Sequence, residues 1–179
     1  MLQKYNTLKI IEVFFTEPTK EHYLMEISRK ISLAHTSVKK DLEYLKREEL
    51  VIKKIQKKGI RNFPVYKANL DNKKFKLDKM IYNLSTIFKS GLINFLEQAF
   101  FPKSIVLFGS YMRGEDIENS DIDIFIESSE KELNLDNFEK KLKRKIQLHF
   151  KKNFMSYPKE LKNNIINGIV LHGFLEGYK

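Results

Sequence analysis

Apolar residues recur at helical spacing three times in the first fifty positions and then give way to alternation. In YNTLKIIEVFF, Leu8, Ile11, Phe14 and Phe15 define one side of a helix that TEPTKE, with its Pro18, brings to an end. A second, shorter helix fits EHYLMEISRKI, with Leu24, Ile27 and Ile31 inward. The polar turn SLAHTS follows, and its Ser and Thr are suited to cap what comes next. The third helix, TSVKKDLEYLKREEL, carries Val38, Leu42, Leu45 and Leu50 on one side and Thr36, Ser37, Lys39 and Lys40 on the other. VIKKIQ and FPVYKA then read as two short strands joined through a turn that uses Gly59.

From about Lys73 to Phe100 the helical period returns. Leu77, Met80, Ile81, Leu84, Ile87, Phe88, Leu92, Phe95 and Leu96 form a stripe, and Gly91 beside Ser90 divides it into two helices. A stripe this wide buries against the next domain or against a second copy of the chain. SIVLF is a β-branched and aromatic run fit for a buried strand that stops at Gly109 and Ser110, and YMRGED makes a turn or short helical piece. DIDIFIE alternates with period two, so Ile122, Ile124 and Ile126 face one way while Asp121, Asp123, Phe125 and Glu127 face the other. KIQLHF alternates too, with Gln147 and His149 on one face and Ile146, Leu148 and Phe150 on the opposite one. After Pro158 a last helix runs through Leu161, Ile165, Ile166 and Ile169, and His172 reads as a bystander. The pattern as a whole is α+β.

Charge sharpens the division of the chain. Its 179 residues suit one large domain or two small ones. The 33 Lys and Arg outnumber 23 Asp and Glu, for a formal charge of +10, which favours a polyanion such as nucleic acid over an anionic membrane surface. The excess is lopsided: residues 1–70 hold 15 basic against 8 acidic residues, and residues 101–179 hold 13 against 12. The absence of cysteine removes disulfides, thiolate catalysis and Cys-based zinc sites. No apolar run approaches the roughly 20 residues that span a bilayer, and MLQKYNTLKIIEVFF lacks the short apolar core and small-residue cleavage site of a secretory signal. A soluble, cytoplasmic protein without membrane attachment is the expectation.

Three helices followed by a basic hairpin resemble the winged helix-turn-helix family over residues 1–70. The resemblance implies double-stranded DNA as partner, with the third helix in the major groove and the hairpin, or wing, on the backbone or minor groove. Ser37, Lys39 and Lys40 would read bases, with Thr36 as cap. Lys53, Lys54, Lys57, Lys58 and Arg61 would neutralise phosphates and release counterions. His35 beside the turn is taken for a surface residue. Residues 71–100 form a helical connector, and since DNA readers of this kind commonly pair over two half-sites, a homodimer built on it is expected.

Two carboxylates on one strand face repel each other, and a hard divalent cation makes the arrangement favourable. Gly109-Ser110, ten residues, then Asp121-Ile122-Asp123 resembles the signature of the DNA polymerase β-like nucleotidyltransferases, the minimal nucleotidyltransferases in particular, over about residues 90–175. The resemblance implies a nucleotidyltransferase-type domain at 101–179. Gly109 and Ser110 would hold a nucleoside triphosphate, Arg113 would add charge, and Asp121 and Asp123 would bind Mg2+ for in-line phosphoryl chemistry. The chain departs from the pattern where active members supply a third carboxylate: KIQLHF offers Gln147, fit for a weak metal contact, and His149, fit to act as base near neutral pH. Glu127 is a further candidate base. A DNA-binding regulator whose nucleotide domain turns over slowly or not at all is the leading reading. The alternative is an active Mg2+-dependent transferase that moves a nucleoside monophosphate onto a protein or small-molecule hydroxyl, with a toxin-type protein partner as minimal nucleotidyltransferases have. A purely structural interaction module is the third, and the missing carboxylate weighs toward the first.

Overall fold

The computed structural model describes residues 2–152, 154 and 158–176. The chain divides into two compact units between Lys79 and Met80.

In the first unit, α1 (Leu2–Thr16) buries Ile10, Ile11, Val13, Phe14 and Phe15. Leu8, expected inward, is exposed. The buried face centres on Phe14, and a residue six positions earlier is turned about 120° away at 3.6 residues per turn. His22 and Tyr23, expected to open the second helix, instead form β1 (His22–Tyr23), paired antiparallel with β3 through His22–Tyr66 and Tyr23–Val65. That shortens α2 to Leu24–Ile31, with Ile27 wholly buried and Ser32 in the left-handed region at φ 53 ending it. The next helix, α3 (His35–Arg47), begins one residue before the expected cap. Ala34 occupies the cap position without a side-chain bond, and Thr36 lies in the first turn rather than ahead of it. Val38, Leu42 and Leu45 are buried, and Leu50 is buried beyond the helix end. Strands β2 (Val51–Lys58) and β3 (Arg61–Ala68) pair from Val51–Ala68 to Lys58–Arg61 across Gly59 and Ile60, Gly59 having φ 61. The sheet order is β1-β3-β2. Pro64 sits one residue past the stretch of β3 that pairs with β1, where the strand has an open edge and proline is tolerated.

The stripe over 77–96 divides once folded. α4 (Lys73–Ser90) and α5 (Leu92–Phe100) meet at Gly91, φ 83. Ile87, Leu92 and Leu96 enter the core of the second unit, Leu84 and Phe95 pack on it, and Leu77, Ile81 and Phe88 remain exposed.

The second unit is built on β4 (Ser104–Phe108), β5 (Ile122–Ile126), β6 (Ile146–Phe150) and β7 (Ile169–Gly173) in the order β6-β5-β4-β7. β5 and β6 are parallel, and the other neighbours are antiparallel. Alternation sorts the faces. Ile105, Leu107, Ile122, Ile124 and Ile126 pack with α5, α6 (Gly109–Arg113) and α7 (Asp136–Leu142). Val106, Phe108 and Phe125 pack on the other face with Phe154 and with Ile165 of α8 (Lys159–Ile166). The last helix therefore stops three residues short of the expected Ile169, which begins β7. The chain turns at Gly168, where a Cβ would meet Leu107 O at 2.5 Å and Val106 Cγ1 at 2.7 Å, so only glycine lets it pass this close to β4. Among the described residues, no helix is long and apolar enough to cross a membrane.

Candidate functional site

The register of β4 against β5 pairs Phe108 with Asp123, so the chain leaves β4 at Gly109 directly beside that carboxylate. Gly109 has φ 79, and a Cβ built there would run into Asp123 Oδ2, with Asp123 Cγ at 3.1 Å and Cβ at 3.3 Å. Backbone conformation and close approach both call for glycine here. Ser110, half-buried, is the second residue of α6, and the turn is closed by the Glu115 N–H donating to Ser110 O at 3.0 Å.

The parallel register of β5 and β6 sets Asp123 beside Gln147 and Phe125 beside His149. Neighbouring residues in such a pair share a face, so Asp123, Gln147 and His149 form one group. His149 Nε2 lies 3.4 Å from Asp123 Oδ1, and its ring centroid is 5.1 Å from that of Phe108. Asp123 is half-buried, whereas Gln147 and Asp121, the latter just ahead of β5, are exposed. Two carboxylates and an amide oxygen are hard donors of the kind Mg2+ takes, so Asp121 and Asp123 fit the ion, with Gln147 as a weaker neighbour. Bound there, it would neutralise phosphate charge.

Two candidates stand elsewhere. Arg113 Nε donates to Glu115 Oε2 at 2.8 Å, so this cation is paired with its neighbour in an exposed position rather than with either aspartate. Glu127, on the same strand face as Asp123, is built into the sheet: its Oε2 accepts from Ser104 Oγ at 3.1 Å and its Oε1 from the Phe154 N–H at 3.3 Å. That employment argues against Glu127 as a base. His172 Nδ1 lies 3.0 Å from Glu97 Oε1.

A buried network escaped the sequence. Asn83 Nδ2 donates to Tyr111 O and to Asp116 Oδ1, both at 2.8 Å, and Arg144 Nη2 donates to Asp116 Oδ2 at 3.2 Å. These bonds pin the loop that joins Gly109-Ser110 to Asp121-Asp123, from α4 on one side and from the approach to β6 on the other. Burial, reinforced by the Asp116 carboxylate, pushes the Tyr111 phenol above the usual tyrosine range. Beside Asp121 opens a cavity of about 490 Å³ whose lining includes Ser120, Lys140, Lys143 and Lys145. Lys145 donates to Glu139 Oε2 at 2.7 Å, and that bond holds the Glu139 carboxyl below the usual range.

In the first unit α3 exposes His35, Thr36, Lys39 and Lys40, with Ser37 half-buried. The hairpin cations are not equivalent. Lys53 Nζ donates to Glu43 Oε1 at 2.9 Å and stands 5.9 Å from the centre of the Tyr66 ring, and Lys54 Nζ is 3.8 Å from Glu21 Oε1. Lys57 and Arg61 are exposed and form no ion pair among the described residues. The side chain of Lys58 lies outside the described residues.

Residues 89–172 match the family model described as Nucleotidyltransferase domain. The matched segment runs from the end of α4 to β7 and carries all four strands of the second sheet, so it supports a nucleotidyltransferase-type fold for this unit. No curated protein and no solved structure matches the chain.

Proposed function

We propose that the chain is a DNA-binding regulator whose nucleotidyltransferase-type domain binds a nucleoside triphosphate with Mg2+ and turns it over slowly or not at all. The carrying observation is the β5–β6 register, which puts the neutral Gln147 beside Asp123 where a third carboxylate would complete a two-metal site. An amide neither takes a proton nor attracts a second Mg2+ as a carboxylate does. Gly109 and Ser110 would receive the triphosphate, and Lys140 and Lys143 at the cavity beside Asp121 are additional cations for its charge.

The DNA-binding half rests on three helices followed by a hairpin, α1, α2, α3, β2 and β3, the order that the resemblance to a winged helix implies for residues 1–70. Ser37, Lys39 and Lys40 on α3 would face bases, and Lys57 and Arg61 would meet phosphates. Residues 71–100 then connect the two domains. A homodimer is favoured by Leu77, Ile81 and Phe88, which recur on one side of α4 and are exposed.

The experiment is titration of the full chain with Mg2+ and each nucleoside triphosphate, followed by assay for released diphosphate and for labelled nucleotide on candidate acceptors, the protein itself included. The expected result is binding without appreciable transfer, with transfer raised strongly by Gln147→Asp. A second reading, an active transferase acting on a hydroxyl of a small molecule or of a toxin-type protein partner, is favoured by one contact: His149 Nε2 stands 3.4 Å from Asp123 Oδ1, which puts an imidazole at the proposed metal position for use as a base. Robust wild-type transfer that survives Gln147→Ala and is lost in His149→Ala would establish that reading instead.

A further inference from the structure

His22 is completely buried in β1, its ring meeting Phe14 edge-on at 5.4 Å. Its Nε2 lies 3.4 Å from the Glu17 backbone oxygen and 3.6 Å from Glu17 Oε2, both acceptors, so in the neutral ring that donates there Nδ1 is the nitrogen that carries the lone pair. Nδ1 makes no hydrogen bond and faces Glu26 Oε1 at 3.4 Å. A lone pair facing a carboxylate is unfavourable unless a cation stands between them, and a buried polar atom left in that state calls for an ion or a proton. Glu17 completes the group: one ligand atom from each of Glu17, His22 and Glu26 falls within 4.8 Å of the others. Ligand atoms on one ion at bonds of about 2.0–2.2 Å stand no more than about 4.4 Å apart, so the half-buried carboxylates of Glu17 and Glu26 would draw in slightly around it.

The place is already used by a positive charge. Lys20 Nζ sits 2.7 Å from Glu26 Oε1 and 3.6 Å from Glu17 Oε2, while Lys30 Nζ is 2.7 Å from Glu17 Oε2. Lys20 is 49 % exposed on a turn, so its ammonium can leave for water while Lys30 stays. We infer that Glu17, His22 and Glu26 bind a divalent transition-metal ion of the zinc class, with Lys20 as the cation that holds the site when the metal is away. An imidazole with two carboxylates selects such an ion over Mg2+, and a ring N–H donated to a backbone carbonyl is how metal-binding histidines are oriented. The donor set differs in kind from the all-oxygen group at Asp121 and Asp123. Because His22 belongs to the strand that pairs with β3 and Glu26 to α2, the ion would tie the hairpin sheet to the helix preceding α3.

The test uses the full chain carrying Asp121→Asn and Asp123→Asn, so that the second unit's carboxylates do not compete, stripped with a chelator. Zn2+ is titrated against a chromophoric chelator, and Co2+ is followed by its visible absorption. One equivalent should bind, with a rise in melting temperature because the ion binds only the folded chain. Adding Glu26→Gln should weaken binding at least about tenfold while leaving the circular dichroism unchanged. Lys20→Ala should tighten it severalfold by removing the competing ammonium. Absence of saturable binding, or an affinity indifferent to both substitutions, overturns the site and assigns a proton to the gap between His22 and Glu26.

Discussion

Asp116 and Asp123 stand at the two ends of one short segment, and the fold treats them in opposite ways. Asp116 is 1 % exposed, and both of its oxygens accept from buried side chains, Asn83 on one and Arg144 on the other. Asp123 is half-buried, with Gly109 against its carboxyl group and a single long contact to His149 as its ion-pair partner among the described residues. A carboxylate that is buried and fully partnered serves the shape of the loop, because removing a partner leaves a buried oxygen or charge less well satisfied. One left half-open beside a second aspartate is suited to an arriving cation, as the proposed function requires, since two like charges on one strand face are least favourable when nothing is bound.

The largest expected effect falls on the closed member of the pair. Asp116→Ala takes from the buried Asn83 and Arg144 side chains the carboxylate that they share and should cost about 3–5 kcal/mol of stability, read from urea unfolding. A loss below about 1 kcal/mol would place Asp116 among the surface acids and dissolve the contrast. Gly109→Ala comes next. The substitution asks alanine to hold φ 79 and drives its methyl into the Asp123 carboxylate. Strain of about 1–3 kcal/mol is expected, together with loss of nucleotide binding in a chain that still folds. Retained affinity, measured by calorimetry, would remove the turn from the nucleotide site. On the open side, replacing Asp121 and Asp123 together by Asn should change stability by no more than about 0.5 kcal/mol, because neither holds the fold and their mutual repulsion disappears. Mg2+-dependent nucleotide binding should vanish in the same protein.

Those two aspartates illustrate how far the sequence reaches. Period-two alternation placed Asp123 with Phe125 and set both opposite Ile122 and Ile124, and the packing agrees because the two faces of β5 are covered by different layers. The spacing from Gly109-Ser110 to Asp121-Asp123 likewise brought the two halves of the motif together before any register was known. Asp116 was illegible for a physical reason. It lies in an irregular loop among Glu115 and Glu118, and its partners Asn83 and Arg144 are each 28 or more residues away, so no local pattern separates it from a solvated acid. His22 was hidden similarly. The helical period of the following residues extends over it, and only the pairing with Tyr66 on β3 turns it into a buried strand residue. Leu8 and Thr36 erred by a fraction of a helical turn, which periodicity alone does not resolve.

The same distinction between held and open charges recurs in the hairpin and gives the smallest expected effect. Lys53 and Lys57 lie on one face of β2 four residues apart, yet Lys53 is bonded to Glu43 while Lys57 has no ion pair among the described residues. If the hairpin meets phosphates, Lys57→Ala should lower the slope of log affinity against log salt by about one unit for any duplex, and Lys53→Ala by clearly less. The hydrogen bond from Lys53 holds the Glu43 carboxyl below the usual range, so Glu43 stays ionised to lower pH than an ordinary glutamate and the pair is lost only as pH falls through that depressed value. The gap between the two lysines should therefore persist unchanged from neutral into mildly acidic buffer. Since the pair is exposed, Glu43→Gln should cost no more than about 1 kcal/mol of stability, and it should move the slope contributed by Lys53 toward that of Lys57. Filter binding across a salt series with wild type and the three variants decides the point: equal losses for Lys53 and Lys57 would mean that the ion pair opens at no appreciable cost on DNA, and no loss for either would take the hairpin out of the interface.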